Sequence, residues 1–396
     1  MPKKPGYEEL ERRVKKLEKV ADERRRTSKV FLALDSTSKE VLDYFSIDYQ
    51  EARNKFFRAA QTIGAHIESF KNPVPGPHNE ALYTDVASFG TKKPKAILLL
   101  ISGMHGVEGF AGSGIQTGLL REDIASGLEP HIGVIMIHAI NPYGFAHLRR
   151  VNEDNVDLNR NFLNQSETYP RNAGYENLAN VIAPKSISIW ENTKARLCFI
   201  WYRFKMGKNE LIRAISEGQY SHPQGLFYGG QSETWSNKII RKIAARYLSN
   251  AERVAIVDFH TGLGSHGNAE VRLNEPENSP AYKRAVKWWG NRVRTTFTGD
   301  SASVHLQNSL KLALPKMLPN TEVTAVGLEF GTLPPEKVFW ALRAENWLYH
   351  HDGKGYPDAE KIKRKLVQVF YPNTEIWKHK IWEQGKEVVK QTLANL

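Results

Sequence analysis

Residues 96–112 read AILLLISGMHGVEGFAG. Six apolar residues, typical of a buried strand, run into a glycine-rich turn that carries His105 and Glu108. Because these two residues are three positions apart, both side chains can point the same way and supply two of the three protein ligands of an open zinc site. His105 is the only one of 13 histidines with Glu or Asp three residues later. One such pair is about what chance gives, so it needs supporting residues elsewhere.

Three more apolar, β-rich runs predict a sheet of buried strands. With the first run, the predicted strands are Ala96–Ser102, Gly133–Ala139, Arg253–Phe259 and Val323–Phe330. Helical patterns at Ile115–Leu120 and Asn237–Leu248 separate some of them. Alternating strands and helices favour an α/β fold with a parallel or mixed sheet covered on both faces. Before these strands, Asp48–Lys71 has helical periodicity, and Asn72–Pro77 must be an irregular connection.

The N-terminal segment has a different pattern. Leu10, Val14, Leu17 and Ala21 follow one another at heptad spacing among charged residues in residues 7–26. Such a segment is either a helix that forms a homo-oligomer or an amphipathic helix that lies on the main body. We therefore divide the chain into an N-terminal helix and linker, residues 1–38, and a catalytic domain, residues 39–396.

Polar and reactive residues follow the predicted strands, and carboxyl ends of strands are where sites form in open α/β sheets. His105 and Glu108 follow the first strand, Asn141–Gly144 and then Arg149-Arg150 follow the second, His260 follows the third, and Glu329 closes the fourth. Between the second and third strands lies the polar segment Val156–Phe162. Several strand ends therefore carry residues of the types that bind a metal, act as a base or supply positive charge. We predict that these residues line a single cleft.

The chemistry of amide hydrolysis assigns roles to these residues. A catalytic zinc ion needs three protein ligands and one open position, and the three candidate ligands are His105, Glu108 and His260. A carboxylate must accept the proton of the attacking water, and Glu329 is the candidate base. Arg150 can stabilise the oxyanion.

The segment before the third strand completes the predicted site. Asn159 and Arg160 can bind a substrate carboxylate through a planar fork. Asp157 is placed to hold the second ring nitrogen of a ligand histidine.

Ordinary structural roles compete with each assignment. His260 can be a satisfied core histidine, and Glu329 a capping or ion-paired carboxylate. One of Arg149 and Arg150 is expected at the surface. The glycines of residues 106–114 can simply let a helix pack close to the sheet.

Composition limits the classes of function. The 396 residues are 41% hydrophobic and 25% charged, as in globular proteins. No apolar stretch reaches the roughly 20 residues that cross a bilayer, and no secretory signal is visible, so we expect no membrane partner. The one cysteine, Cys198, cannot form an internal disulfide, which makes a cytoplasmic location the default. The net charge of +12 comes with no nucleic-acid-binding motif, so we expect no nucleic acid and favour an anionic small substrate.

The motifs resemble those of the zinc carboxypeptidase superfamily. They read His105-x-x-Glu108, a distant His260, a late Glu329, the turn Asn141-Pro142-Tyr143-Gly144, and Arg150 followed by Asp157-Leu158-Asn159-Arg160. Within the superfamily the chain looks like the microbial branch known as domain of unknown function 2817, on the segments Ser102–Gly112 and Arg150–Phe162. The resemblance covers roughly residues 40–390 and leaves out residues 1–38.

The resemblance implies a three-layer α/β/α sandwich around a mixed, mostly eight-stranded sheet, with one Zn²⁺ per chain. It implies zinc ligation by His105, Glu108 and His260, with Glu329 as the base. It further implies Arg150 as the oxyanion-stabilising arginine, Asn159 and Arg160 as the carboxylate anchor, and Asp157 as the residue that orients His105.

Two features depart from the family pattern. Only Tyr282 lies in the interval where carboxypeptidases carry a substrate-closing tyrosine, and nothing in its context identifies it as one. Residues 163–250 form a long insertion with aromatic residues at Trp190, Trp201, Tyr202 and Tyr228, which we expect in the core more often than against substrate.

The favoured interpretation is a zinc hydrolase that acts on a small peptide or an N-acyl amino acid. An esterase with the same site and a non-catalytic binding or scaffold protein of this fold are the alternatives. A serine hydrolase is disfavoured because the chain has no Gly-x-Ser-x-Gly pentapeptide.

Overall fold

The computed structural model describes residues 37–163, 168–297, 306, 308–351 and 353–396. The predicted heptad segment, residues 7–26, lies outside the described residues. Residues Tyr44–Leu396 form one compact unit. Within the described ranges, no helix combines the length and apolar character required to cross a membrane.

Eight strands form a single mixed sheet. They are β1 His66–Lys71, β2 Tyr83–Gly90, β3 Ala96–Ile101, β4 Ile132–His138, β5 Arg253–His266, β6 Ala269–Leu273, β7 Val293–Thr295 and β8 Glu322–Gly331. Their order across the sheet is β1-β2-β4-β3-β5-β8-β6-β7. The four central strands, β4, β3, β5 and β8, are mutually parallel. Strand β2 runs antiparallel to β4 and to β1, whereas β6 runs antiparallel to β8 and parallel to β7.

The described residues also form thirteen α-helices. They are α1 Thr37–Tyr44, α2 Tyr49–Thr62, α3 Gly109–Arg121, α4 Pro142–Ala146, α5 Ala173–Ile182, α6 Ile189–Met206, α7 Lys208–Ser216, α8 Trp235–Ile243, α9 Pro280–Trp289, α10 Leu310–Met317, α11 Pro335–His350, α12 Ala359–Phe370 and α13 Glu375–Leu393. Short 3₁₀ turns lie at Gly106–Glu108, Ile124–Gly127, Leu158–Arg160, Gly290–Arg292 and Gly353–Gly355, and a π-helical turn at Ala244–Leu248 extends α8.

The core lies on both faces of the central strands, because β3 and β4 are buried at every position. On one face, α8 and α10 pack with odd-numbered residues of β3 in a single apolar cluster. On the other face, α3 and α13 contact β5. The predicted fold class, a three-layer α/β/α sandwich around a mixed eight-stranded sheet, is confirmed.

The predicted helical periodicity of Asp48–Lys71 is wrong beyond Thr62. Helix α2 ends there, and Gly64 follows with a φ of 71°, a left-handed conformation that favours glycine and turns the chain. The last six residues form β1, which pairs with β2 at the sheet edge. On an exposed edge strand only Phe70 is buried, so the sequence lacks the alternating pattern that would have indicated a strand.

Two other elements differ from their predicted limits. Strand β5 continues past Phe259 to His266, with a shift of register after Thr261 that bends its end. The predicted turn Asn141–Gly144 is the start of α4, and the Asn141 side chain caps that helix by accepting a hydrogen bond from Gly144 N at 2.8 Å.

The turn that carries His105 and Glu108 packs against α4 with no room for a side chain at Gly106. A Cβ at Gly106 would stand 2.0 Å from the Gly144 carbonyl carbon. Gly106 N and Val107 N also donate to the carbonyl oxygens of Arg150 and Arg149, at 3.1 and 2.8 Å. Backbone contacts with α4 and with the segment that follows it therefore set the position of the turn.

We expect Gly106→Ala to lower the free energy of unfolding by roughly 1–3 kcal/mol, because two backbones must separate to admit a methyl group. Urea denaturation measures the change. The matched control is Gly127→Ala, where a Cβ meets nothing within 4 Å. Equal stability of the two variants would contradict the close packing described here.

Candidate metal centre

His105, Glu108 and His260 meet at the carboxyl edge of the parallel strands. One nitrogen or oxygen from each lies within 4.8 Å of the others, and all three residues are buried. His105 and Glu108 bound the 3₁₀ turn after β3, and His260 lies inside β5, the strand paired with β3. Two imidazoles and a carboxylate are a donor set that holds Zn²⁺ in proteins with one position open.

Hydrogen bonds direct both oxygens of Glu108. Oε1 accepts from Arg150 Nη1 at 2.8 Å, and Oε2 accepts from Thr261 N at 3.0 Å. The His260 Nδ1 atom lies 3.2 Å from Oε2. Burial raises the pKa of the Glu108 carboxyl, and the hydrogen bond with His260 and the charge of Arg150 oppose that rise.

His260 has a carboxylate partner that the sequence interpretation missed. Its Nε2 donates to Asp258 Oδ2 at 2.7 Å, and its Nδ1 points toward Glu108. Burial alone would lower the pKa of His260, but Asp258 and Glu108 raise it to about 10. The signal was present in the sequence, since residues two apart on a strand share a face. Asp258 thus fixes which ring nitrogen faces the cluster.

His105 is held between Asp157 and Arg150. Asp157 Oδ1 lies 3.5 Å from Nδ1, a buried atom with no closer hydrogen-bond partner among the described residues. Burial and then the charge of Arg150 keep the pKa of His105 well below its usual value, so the ring is neutral. Its Nε2 can therefore accept from Arg150 Nη2 at 2.8 Å, which leaves the proton on Nδ1, toward Asp157.

Asp157 links the cluster to the neighbouring arginines. It accepts from Arg150 Nε at 3.2 Å and from Asn159 N at 3.0 Å, and Arg160 Nη1 lies 3.8 Å away. Burial acts to raise the pKa of Asp157, but the surrounding basic side chains, Arg160 first among them, lower it overall. The structure thus places Asp157 beside His105, where the sequence predicts it.

Glu329 lies directly beside His260. The two residues are register partners on the adjacent parallel strands β8 and β5. Glu329 Oε1 accepts from Leu263 N at 3.0 Å, and Oε2 lies 3.6 Å from Arg272 Nη1. The carboxylate is oriented by groups other than the three predicted ligands.

Arg160 and Asn159 border the cluster on the side of the insertion. Arg160 Nη2 donates to the Ser216 carbonyl at 2.6 Å, while its buried Nε has no hydrogen-bond partner among the described atoms. Asn159 Oδ1 accepts from Leu310 N at 3.2 Å, at the start of α10. Both residues are buried.

Two more cations at this edge were not predicted. Arg272, on β6, reaches Glu329 across the antiparallel pair β6–β8 and binds Glu270 at 2.7 Å. Lys311, on α10, donates to the Arg272 carbonyl at 3.4 Å. A Cβ at Gly327 would lie 3.1 Å from Lys311 Nζ and 3.4 Å from the His260 ring, so the ammonium group stands close to the cluster. Burial lowers the pKa of Lys311 to about 8.

Arg149 corrects one expectation. Neither Arg149 nor Arg150 is a surface residue, because Arg149 is 1% exposed and the side chain of Arg150 is 15% exposed. Its Nε donates to Glu345 at 2.8 Å, and Lys363 binds the same carboxylate oxygen at 2.7 Å. The buried charge of Arg149 is tolerated because it is paired with Glu345 of α11. This partner is distant in the sequence, and nothing near Arg149 indicates the pairing.

The aromatic residues of the insertion divide into two groups. Tyr202 and Tyr228 are buried, as expected, but Trp190 and Trp201 are 71% and 57% exposed on the outer side of α6. Tyr282, on α9, donates its hydroxyl to Glu277 at 3.5 Å.

The fold and the cluster define an α/β/α protein with a candidate single-metal site at the carboxyl edge of its sheet. The family model described as "Protein of unknown function (DUF2817)" matches residues 45–384. The chain belongs to this family, and the sequence-based resemblance to it is confirmed. No curated protein sequence matches the chain.

Several solved structures are similar in fold. Carboxypeptidase A from Helicoverpa armigera is 13% identical, with a TM-score of 0.47 over 89% of this chain and 75% of that chain. An aspartoacylase family protein from Mesorhizobium loti is 13% identical, with a TM-score of 0.37 over 72% and 66%. Bovine thrombin-activatable fibrinolysis inhibitor, solved with tick carboxypeptidase inhibitor, is 13% identical, with a TM-score of 0.43 over 88% and 99%. Because the identities and TM-scores are this low, none of them assigns an activity to the chain.

The contact between Asp258 and His260 generates a prediction about metal affinity. We expect Asp258→Asn to weaken metal binding roughly 10- to 100-fold, because the ring of a ligand histidine loses the carboxylate that orients it. Competition with a chelator measures the affinity. The control is Asp123→Asn, at an exposed position. If the two variants bind metal equally well, Asp258 does not support the site.

Proposed function

We propose that the chain is a zinc-dependent hydrolase that cleaves an amide bond beside a substrate carboxylate, as a carboxypeptidase or an N-acyl amino acid deacylase does. The observation that carries the proposal is a further carboxylate, Glu329, in register with His260 and outside the three-residue ligand cluster. A structural zinc site is closed by four protein ligands and has no use for such a group. In a catalytic site, such a carboxylate can serve as the general base.

The residues present fit one zinc ion per chain. His105, Glu108 and His260 would hold it, and Asp157 and Asp258 each approach a ring nitrogen of one of the histidines. When bound, the ion would polarise the scissile carbonyl and lower the pKa of a water molecule.

Glu329 would accept the proton of the attacking water and deliver it to the leaving nitrogen. The contacts from Leu263 N and Arg272 fix the direction of its carboxylate before a substrate binds. Such preorganisation favours proton transfer, because the base needs little movement to reach its working position.

Arg150 is the candidate that stabilises the oxyanion. Its guanidinium is 2.8 Å from both Glu108 Oε1 and His105 Nε2, and its side chain is 15% exposed. The buried carboxylate of Asp157 anchors its Nε. A cation held beside the metal ligands would stabilise the negative charge that develops on the scissile carbonyl oxygen.

The substrate is expected to be anionic. The Nε of Arg160 has unused donor capacity, which a substrate carboxylate can accept, and Asn159 lies beside it. Lys311 and Arg272 add positive charge on the other side of His260. These cations favour a free carboxylate next to the scissile bond.

Glu329→Gln should keep the metal and reduce turnover by roughly 10²- to 10⁴-fold, because the amide cannot accept the proton. The measurement is kcat in a screen of N-acyl amino acids and short peptides, with metal content determined in the same preparation. Glu383→Gln, at an exposed position, is the matched control. A metal-loaded wild type that hydrolyses none of these substrates would favour the non-catalytic alternative.

Arg160→Ala should raise KM far more for substrates with a free carboxylate than for the same substrates as amides, since only the former lose an ion pair. Arg160→Lys keeps the charge without the planar fork and should have an intermediate effect. Equal losses on both kinds of substrate would refute the anchor role and leave Arg160 as a partner of Asp157.

A further inference from the structure

Helix α6 has an outward face that is almost entirely apolar. The residues of this α6 apolar face, with their exposed fractions, are Ile189 87%, Trp190 71%, Leu197 62%, Ile200 65%, Trp201 57% and Phe204 91%. Large exposed apolar side chains are ordinary when scattered singly, but a contiguous group marks an interaction surface.

These residues are contiguous on the helix. At about 100° per residue, they and Thr193 fill one unbroken arc of about a third of the circumference. The opposite side of α6 already has its packing partners: Ala195 and Tyr202 are buried, and Phe199 stacks edge-on against Phe339 of α11 at 5.3 Å. The helix is therefore fixed to the protein by one side while its second apolar side points to solvent.

Basic residues border the arc on both sides. Lys194 and Lys205 follow one edge, and Arg196 and Arg203 follow the other. The acidic groups near them are few: Lys194 lies 3.4 Å from Glu191 of the same helix.

The other contacts of these cations are also within the protein. Arg196 lies 3.2 Å from Glu336 of α11, and Lys205 lies over the Trp201 ring at 5.0 Å. Around the helix circumference, Lys194 lies closer to the arc than Glu191 does. Both edges of the arc are therefore bordered by positive charge.

We propose that the α6 apolar face docks on the surface of an anionic lipid bilayer as an interfacial helix. Tryptophan, phenylalanine and aliphatic side chains on one face, with lysine and arginine beside them, are the composition of helices that lie in the headgroup region. Each basic residue near an anionic membrane adds to the attraction, and the chain as a whole has a net charge of +12.

Charge also argues against a second copy of the chain as the occupant. A two-fold contact through this face places the same surface patch on both sides, so the basic edges of one helix would approach those of the other. Anionic headgroups neutralise these edges instead. The expectation from sequence that no membrane is a partner rested on the lack of a spanning segment, and an interfacial helix needs none.

The docking face is connected to the candidate metal centre. Gly207 joins α6 to α7, and the last residue of α7, Ser216, accepts the hydrogen bond from Arg160 Nη2 at 2.6 Å. The α6 apolar face is therefore separated by a single helix, α7, from the predicted carboxylate anchor. The docking itself does not depend on the proposed hydrolase activity.

The test is flotation of the full-length protein with vesicles of phosphatidylcholine alone and of phosphatidylcholine with phosphatidylserine. We expect binding to the anionic vesicles and at least about tenfold weaker binding to the neutral ones. The triple variant Trp190→Ser, Trp201→Ser and Phe204→Ser should lose at least about tenfold in affinity for anionic vesicles, since it removes the apolar anchors.

A matched control replaces three exposed apolar residues elsewhere: Ile47→Ser, Val286→Ser and Ile376→Ser. It should bind as the wild type does. A second variant, Arg203→Glu with Lys205→Glu, keeps the apolar residues and should lose most of the preference for phosphatidylserine. Circular dichroism checks that each variant is folded.

Three outcomes would overturn the proposal. The first is no binding of the wild type to either kind of vesicle. The second is a wild-type dimer in light scattering that the triple serine variant converts to monomer, which would make the face a contact between copies. The third is vesicle binding seen only after deletion of residues 1–36, which would mean that the N-terminal segment covers the face.

Discussion

Parallel hydrogen bonding between β5 and β8 is the constraint on which the candidate site depends. The pairing places His260 opposite Glu329, and Asp258 opposite Gly327. Residues two apart on a strand share a face, so the histidine, its carboxylate partner and the proposed base occupy one side of the sheet edge. The register of β3 with β5 then brings the turn with His105 and Glu108 to the same edge.

The cluster concentrates buried charge, and its stability rests on mutual pairing. Glu108, Asp157 and Asp258 are each buried, and each contacts a histidine or an arginine of the site. Removing one partner of a buried pair leaves an uncompensated charge, whereas the complete set is tolerated. Such a site is costly for folding alone, and buried charges that shift one another's pKa in this way are concentrated at functional sites of proteins.

The sequence predicts the parts of the site that are encoded locally. Continuous apolar runs indicated the four parallel strands, and the polar residues at their ends indicated His105, Glu108, His260 and Glu329. Asp258 could have been predicted from its spacing to His260. Arg272 and Lys311 could not, because they reach the site only through the antiparallel pairing of β6 with β8 and the packing of α10. The hydrophobic periodicity of the sequence also could not predict the exposure of the α6 apolar face. Helix α6 is apolar on two sides, and the sequence does not tell which side is covered.

The central claim is that one metal ion binds between the carboxyl ends of β3 and β5. Crystals of the protein grown without chelator, with diffraction recorded on both sides of the zinc absorption edge, test it most directly. The account predicts a single anomalous peak per chain, bonded to His105, Glu108 and His260 and absent below the edge. A well-ordered crystal with these side chains in place, supplied with zinc and showing no peak between them, would contradict the account.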